Sequence, residues 1–135
     1  MNMLIRDHDR QKFESRKAYL HQLADFFNTK YGEGTVTVKS HDVYYNMLEK
    51  IEDGNMFVVE LARQAMIGAG VTPDIQPIRG GTDGAQLSFR GLPCPNLFTG
   101  GANFHGRFEY LPLESLVKAA ETVLGIVTGA AALKK

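Results

Sequence analysis

Two hydrophobic periodicities alternate along the first third of the chain. Residues 3–8 predict a short strand, and apolar residues then recur at helical spacing from residue 10 to about residue 28, behind Asp9 as a helix cap. Residues 35–40 are β-branched and alternate with period two, which predicts a strand that continues through residues 43–45. The apolar helical positions are Tyr19, Leu20, Leu23, Phe26 and Phe27. This part therefore predicts strand–helix–strand.

Two further amphipathic helices are predicted in the remainder of the chain. The first follows a turn at residues 53–55 and ends near Gly70. The second begins at Pro112, a residue suited to the first helical turn. The apolar face of the first helix consists of Val58, Leu61, Ala62, Ala65 and Met66, and that of the second of Leu113, Leu116, Val117, Ala120, Val123, Leu124 and Val127.

Short elements lie between these helices. Residues 75–78 and 96–98 predict brief extended runs, and a short helix capped by Thr82 or Asp83 runs to Phe89. Strands that alternate with helices predict an α/β fold, with α+β layers as the alternative. The strand–helix–strand piece at the beginning leaves sheet edges open, so we expect it to need partner strands from elsewhere.

Composition narrows the class of protein. The 135 residues carry fifteen basic and fifteen acidic side chains, so no basic field favours nucleic acid or an anionic membrane. The lone cysteine, Cys94, excludes an intramolecular disulfide. No segment suggests a bilayer span or a signal peptide. We therefore expect a soluble, cytoplasmic protein with neither nucleic-acid nor membrane partners.

The loop at residues 79–84 is the first candidate site. Arg79 offers a planar cation suited to a carboxylate, and Gly80 and Gly81 let the backbone approach a ligand. Thr82 stands where a helix begins, and free N–H groups at a helix start attract anions. The alternative is a tight turn with a capping Thr or Asp and a solvated Arg. The pattern alone favours this alternative, because Gly-Gly turns are common.

The glycine-rich loop at residues 99–106 is the second candidate, because it holds His105 just after an apolar run. Imidazole is the commonest metal ligand in proteins. One histidine without spaced partners is weak evidence, however, so the pattern alone favours a hydrogen-bonded surface histidine. Glu109 lies nearby and is equally consistent with an exposed charge.

A third group of polar residues consists of Asp7, His8 and Asp9 together with residues 41–42. Strand alternation places Asp7 and Asp9 on one face and His8 on the other, so these side chains cannot converge on one metal ion. We interpret them as solvated strand ends and helix caps. The aromatic run at residues 44–47 is consistent with a pocket lining, although core packing is the commoner role.

Three colinear stretches carry a family resemblance. They are IRGGTDGAQLSF at residues 78–89, GLPCPNLFTGG at residues 91–101 and NFHG at residues 103–106. Together they resemble the C-terminal signature of peptidase T, a family of tripeptide aminopeptidases among the di-zinc, co-catalytic metallopeptidases. Residues 5–9 and 44–47 resemble that family's lid domain. The similarity runs from about Leu4 to the last helix.

The resemblance implies an architecture and a set of roles. Residues 1–47 would be the second half of an inserted α+β lid, and residues 50–135 the C-terminal part of a zinc-exopeptidase-like catalytic domain. His105 corresponds to a zinc ligand, the only one implied for this chain. No residue of the chain corresponds to a catalytic acid or base. The residues implied to face substrate are Arg79, Gly80, Gly81 and Thr82, and, from the lid, Asn46 with Tyr45.

By resemblance, the intact enzyme uses two zinc ions to remove the N-terminal residue from tripeptides. Its other metal ligands and its general base lie in an N-terminal part without counterpart here. We therefore expect the isolated chain to be inactive and to require that missing part as a partner. The alternative is a non-catalytic module that binds peptide carboxylates weakly or assembles, as a homo-oligomer for example, through exposed strand edges.

Overall fold

The computed structural model describes residues 1–78 and 81–133, and its regular structure there is helical. The helices are α1 (Arg10–Tyr31), α2 (Leu48–Ile51), α3 (Phe57–Gly68), α4 (Asp83–Phe89) and α5 (Leu113–Ala132). The chain divides into two compact units, Met1–Asn46 and Met47–Lys135. The assignment of these units to a lid and to a catalytic domain stays a prediction.

The predicted α/β fold, including the strand–helix–strand lid, is wrong for this structure. Within residues 1–78 and 81–133 there is no strand, and the single β-contact is an isolated antiparallel bridge between Ala102 and Tyr110. Alternation of side chains shows which face of a segment is apolar, but a strand also needs a neighbour for its backbone N–H and C=O groups. In the described part of the chain, no second strand pairs with residues 3–8, 35–45, 75–78 or 96–98.

Helix α1 begins where its sequence predicts and ends three residues later than predicted. The Asp9 carboxylate accepts a hydrogen bond from the Lys12 backbone N–H (2.8 Å), which confirms Asp9 as the cap. The helix ends at Gly32, whose φ of 107° is costly for other residues. The helix therefore extends three residues beyond the predicted end at residue 28.

Residues 35–46 bond to α1 through side chains instead of a β-ladder. The side-chain amide of Asn28 donates to the Val36 carbonyl (2.9 Å) and accepts from the Val36 N–H (2.8 Å). Lys17 pairs with Asp42 at 2.9 Å, and Asp42 also accepts from the Tyr45 hydroxyl (2.7 Å). The Asn28 amide therefore satisfies the Val36 backbone groups that a β-ladder would otherwise have paired.

Helices α3 and α5 form the main helix pair of the second unit, and they meet through small side chains. A Cβ placed on Gly125 would lie 3.1 Å from the Ala65 Cβ, and one on Gly129 would lie 2.8 Å from the Leu61 Cδ1. Thr122, on the same side of α5, is only 1% exposed. Small residues therefore let the two helix backbones approach closely.

The apolar face predicted for α5 lies on the opposite side of the helix. We call it the α5 stripe, and it consists of Leu113, Leu116, Val117, Ala120, Val123, Leu124 and Val127. Its leucines and valines are between 45% and 70% exposed. Helix α5 was predicted to begin at Pro112 and begins one residue later, at Leu113, but the large apolar side chains of the stripe lie away from the close contact with α3.

Helix α5 also passes a simple test for a membrane span. Among the described residues it is the one helix that is long and apolar enough to cross a bilayer, by length and composition only. The expectation that no segment reaches this length is therefore wrong by that criterion. The α5 stripe remains an apolar surface without a cover in the described part of the second unit.

Candidate functional site

The loop that carries His105 is closed by paired backbone bonds. The Ala102 N–H donates to the Tyr110 carbonyl (2.9 Å), and the Tyr110 N–H donates to the Ala102 carbonyl (3.2 Å). Inside the loop, the Gly106 N–H donates to the Asn103 carbonyl at 2.8 Å. The side-chain amide of Asn103 also donates to the Phe108 carbonyl (3.2 Å). These bonds fix the loop internally without help from a sheet in the part of the chain that the structure describes.

His105 itself has an unusual backbone conformation. Its φ is 60°, and that of Asn103 is 57°, so both lie in the left-handed region that residues other than glycine rarely adopt. The Glu109 carboxylate accepts a hydrogen bond from the His105 backbone N–H at 2.9 Å. The His105 imidazole is exposed and has no hydrogen-bond partner among residues 1–78 and 81–133. The backbone is thus braced while the ring is left available to a ligand.

The base of this loop lies against the first turns of α5. A Cβ on Gly100, whose φ is 83°, would lie 2.4 Å from the Ser115 Cβ. A Cβ on Gly101 would lie 2.7 Å from the ring of Phe104. Gly100 is therefore required by its close approach to α5, whereas Gly101 lies against a side chain of the loop itself.

The loop before α4 is described only in part. Arg79 and Gly80 lie outside the described residues, and Gly81 is exposed. Thr82 occupies the residue before α4, as predicted, but its side chain makes no capping hydrogen bond. The Thr82 Oγ1 is buried and has no hydrogen-bond partner within the described ranges.

Helix α4 is bonded to the Pro-Cys-Pro segment through one buried hydroxyl. The Ser88 Oγ donates to the Gly84 carbonyl (2.8 Å) and accepts from the Cys94 N–H (3.0 Å). Ser88 is 2% exposed, and a Cβ on Gly84 would lie 2.5 Å from the Cys94 carbonyl oxygen. Neither the hydrogen bonds of Ser88 nor the close approach at Gly84 was predicted from the sequence. A glycine inside a short predicted helix was the only signal of this close approach.

Asn46 and Tyr45 belong to the first unit. The Asn46 side-chain amide donates to the His8 carbonyl at 3.1 Å. The hydrogen bond from Tyr45 to Asp42 raises the pKa of the Tyr45 hydroxyl, and the Arg10 guanidinium lies 4.0 Å from the centre of its ring. Both side chains therefore have structural contacts inside the unit, and their role toward substrate stays a prediction.

The candidate site offers a single metal ligand, His105, among the residues that the structure describes. Among the described residues, no three His, Cys, Asp or Glu side chains lie close enough together to hold a metal ion. An exposed imidazole on a braced loop suits a zinc ligand, but a catalytic zinc ion takes about three protein ligands. His105 can therefore contribute to a site that other residues complete. The role of Glu109 was not predicted, because a hydrogen bond from a backbone N–H to a carboxylate four residues later has no sequence signature.

Comparison with known proteins gives close relatives, while no family model matches the chain. Peptidase T of Alkaliphilus oremlandii is 58% identical over 124 residues, which are 92% of this chain and 30% of that protein. Peptidase T of Exiguobacterium sibiricum is 56% identical over 91% of this chain and 30% of its own length. Peptidase T of Halothermothrix orenii is 53% identical over 94% and 31%, respectively. The chain thus spans about 30% of the length of the curated relatives that it matches.

Proposed function

Because this chain is homologous to peptidase T along 91–94% of its own length, we propose that it is one part of a zinc-dependent aminotripeptidase. The intact enzyme would remove the N-terminal residue from tripeptides. The relatives are more than three times as long as the matched stretch, which leaves room for the remaining metal ligands and the general base. The proposed partners are a tripeptide and that remaining part of the protein.

The observation that carries this proposal is the presentation of His105. Its backbone is held in a left-handed conformation by the Glu109 carboxylate, and its imidazole is exposed. The fixed backbone sets the direction of the His105 Cα–Cβ bond, and the exposed ring is free to turn toward a metal ion. A zinc ion bound there would polarise the scissile carbonyl and lower the pKa of a bound water.

The loop at residues 79–82 is proposed to bind the far carboxylate of the peptide. Arg79 supplies a fork that matches two carboxylate oxygens, and Gly80 and Gly81 allow close backbone approach. Thr82 supports the proposal, because its buried Oγ1 has no partner in the described part of the chain. A cation at a fixed distance from the metal would select peptides by length.

The first test is tripeptide hydrolysis by the zinc-loaded chain, with His105→Ala as the matched variant. We expect no turnover from either protein, because one histidine cannot hold and activate a catalytic zinc ion alone. His105-dependent turnover would contradict this expectation. It would mean that the chain assembles a complete site, across an oligomer for example.

The second test uses the intact peptidase T of Alkaliphilus oremlandii. Replacement of the residue aligned with His105 by Ala should lower the zinc content per protein. Replacement of the residue aligned with Arg79 should raise KM for tripeptides while the zinc content stays unchanged. If the first change left the zinc content intact, or the second removed zinc, the assigned roles would be wrong.

The alternative function is an assembly module without catalysis. The predicted route through strand edges is excluded for the described residues, since they contain no strand. The exposed α5 stripe nevertheless favours assembly of another kind. Assembly and catalysis are compatible if the stripe joins this chain to the rest of the peptidase.

A further inference from the structure

The α5 stripe is an apolar surface without a partner in the part of the second unit that the structure describes, and Thr122 is the buried residue of this helix. Leu113, Val123 and Val127 are 70%, 50% and 61% exposed, whereas Thr122 on the other side is 1% exposed. The stripe recurs at spacings of three and four residues along the 20-residue helix, a length of about 30 Å. Contiguous apolar surface of this kind marks an interaction site.

We infer that the α5 stripe is the surface on which the remaining part of a peptidase T-like polypeptide packs. The inference rests on the proposed function and names the interface through which the two parts would meet. The partner is thus a protein segment that offers a complementary apolar face, contributed by the portion of the relatives that this chain does not cover.

The extent of the similarity supports this partner. The match to the Halothermothrix orenii protein covers 127 of the 135 residues, so at most eight residues lie outside it. The stripe, which ends at Val127, therefore belongs to the region shared with the relatives. About 70% of each relative lies beyond that region, and this large remainder supplies the candidate cover.

A groove beside the stripe adds a place for partner side chains. A groove runs between α3 and α5, and its lining includes Leu61, Gln64, Lys118, Glu121 and Leu124. Leu124 belongs to both the stripe and the groove. A partner on the stripe can therefore insert large side chains into the groove, and this continuity favours a protein face over a lipid surface.

The charges of α5 also favour a protein partner over a bilayer. Lys118 and Glu121 form an ion pair at 2.8 Å, and both side chains are about half exposed. Glu114 adds another charge in the first turn. Burial of such charges in hydrocarbon is costly, whereas a protein interface leaves them at a solvated rim.

The test co-expresses this full chain, carrying an affinity tag, with the Alkaliphilus oremlandii peptidase T from which the matched stretch has been removed. We expect the two polypeptides to co-purify in a 1:1 complex. The variant Leu116→Glu/Val127→Glu should weaken the complex by roughly a hundredfold or more, because two carboxylates would be buried in an apolar interface. Glu suits an exposed helical position, so α5 itself should be retained.

Two controls define the result. Tyr19→Glu places the same charge on an exposed position of α1 and should leave the complex intact. The intact relative should not bind this chain, because its own copy of the region already occupies the interface. Circular dichroism of the double variant checks that its helix content is unchanged.

The outcomes separate this inference from the proposed function. A stripe-dependent complex without tripeptidase activity would support the interface and contradict the function. Tripeptidase activity that depends on His105, in a complex that Leu116→Glu/Val127→Glu does not weaken, would support the function and contradict the interface. Exclusive self-association, flotation with phosphatidylcholine vesicles in place of complex formation, or equal weakening by Tyr19→Glu would overturn the interface.

Discussion

Glu109 and His105 illustrate how much of the candidate site depends on single contacts. The carboxylate of one residue accepts a hydrogen bond from the backbone N–H of the other, at 2.9 Å. His105 also has a left-handed φ of 60°, which costs on the order of 1–3 kcal/mol for a residue other than glycine. The hydrogen bond between Glu109 and the His105 N–H offsets part of that cost. Because Glu109 contacts the backbone of His105 and not its ring, it acts on the imidazole only by holding the backbone.

We therefore predict that Glu109→Ala frees the His105 amide. Its hydrogen exchange, followed by NMR, should become faster by roughly 10- to 150-fold, since a charge-assisted bond contributes about 1.5–3 kcal/mol. Glu109→Gln keeps an oxygen acceptor but loses the charge, so the His105 amide should exchange faster than in the original chain and more slowly than in Glu109→Ala. Equal acceleration in both variants would indicate that charge, not the hydrogen bond, holds the loop.

Glu60 on α3 gives the pH-dependent prediction. Its carboxylate accepts hydrogen bonds from Arg63 at 2.7 Å and from Gln64 at 2.6 Å, which lower the pKa of Glu60 to about 2. Because the folded-state pKa is depressed, the stabilisation is present above the unfolded value of about 4.5 and is lost as the pH falls toward 2. NMR titration of the Glu60 side chain should give this low pKa.

Arg63→Gln provides the check on the cause. Removal of the guanidinium should raise the pKa of Glu60 toward its ordinary range, because the hydrogen bond from Arg63 is the largest contribution. A titration that Arg63→Gln leaves unchanged would show that Gln64 or the helix start holds the carboxylate ionised.

The sequence predicted residues whose role is local and missed those whose role depends on a distant neighbour. Asp9 was identified as a cap because it precedes an amphipathic run, and its bond to Lys12 confirms this. Ser88 was missed because its hydroxyl connects Gly84 to Cys94, and only the folded chain brings these groups together. The roles of Arg79 and Asn46 toward substrate stay predictions.

At the scale of elements, the helices were predictable and the sheet was not. Helical hydrogen bonds close within four residues, so the sequence of one segment contains what the helix needs. A strand needs a second segment, and period-two alternation in residues 35–40 cannot supply it. The buried face of α5 was also misassigned, because hydrophobicity identifies an apolar side without identifying the neighbour that covers it.

Two glycines of α5 test the small-residue contact with α3. Gly129→Ala should stabilise the chain by up to about 1 kcal/mol, since Ala is the better helix former and the nearby Leu61 Cδ1 can move aside. Gly125→Ala should stabilise the chain by less than Gly129→Ala, or destabilise it. The new Cβ would lie 3.1 Å from the Ala65 Cβ, which cannot rotate away. Urea denaturation of both variants gives the comparison.

The informative result is which of the two variants has the larger free energy of unfolding. If Gly125→Ala were the more stable protein, α3 and α5 would be free to separate by a few tenths of an ångström. The close approach of the two helices would then contribute little to the second unit.

At the scale of the whole molecule, the chain carries more apolar surface than its described contacts cover. Leu116, Val117 and Leu124 are at least 45% exposed along one side of α5. We predict that the isolated chain binds the dye ANS with enhanced fluorescence, since the dye reports accessible apolar surface. Leu116→Glu/Val127→Glu should reduce the enhancement by about half or more, and Tyr19→Glu should change it much less.

The exposed stripe of α5 has a consequence for the lifetime of the chain in a cell. Proteases and chaperones act on accessible apolar segments, and a stripe that is covered only on assembly is accessible until then. On the interface proposed above, the stripe would stay accessible for as long as the remaining polypeptide has not packed on α5. The uncovered side of one helix would then tell the quality-control machinery whether folding is complete.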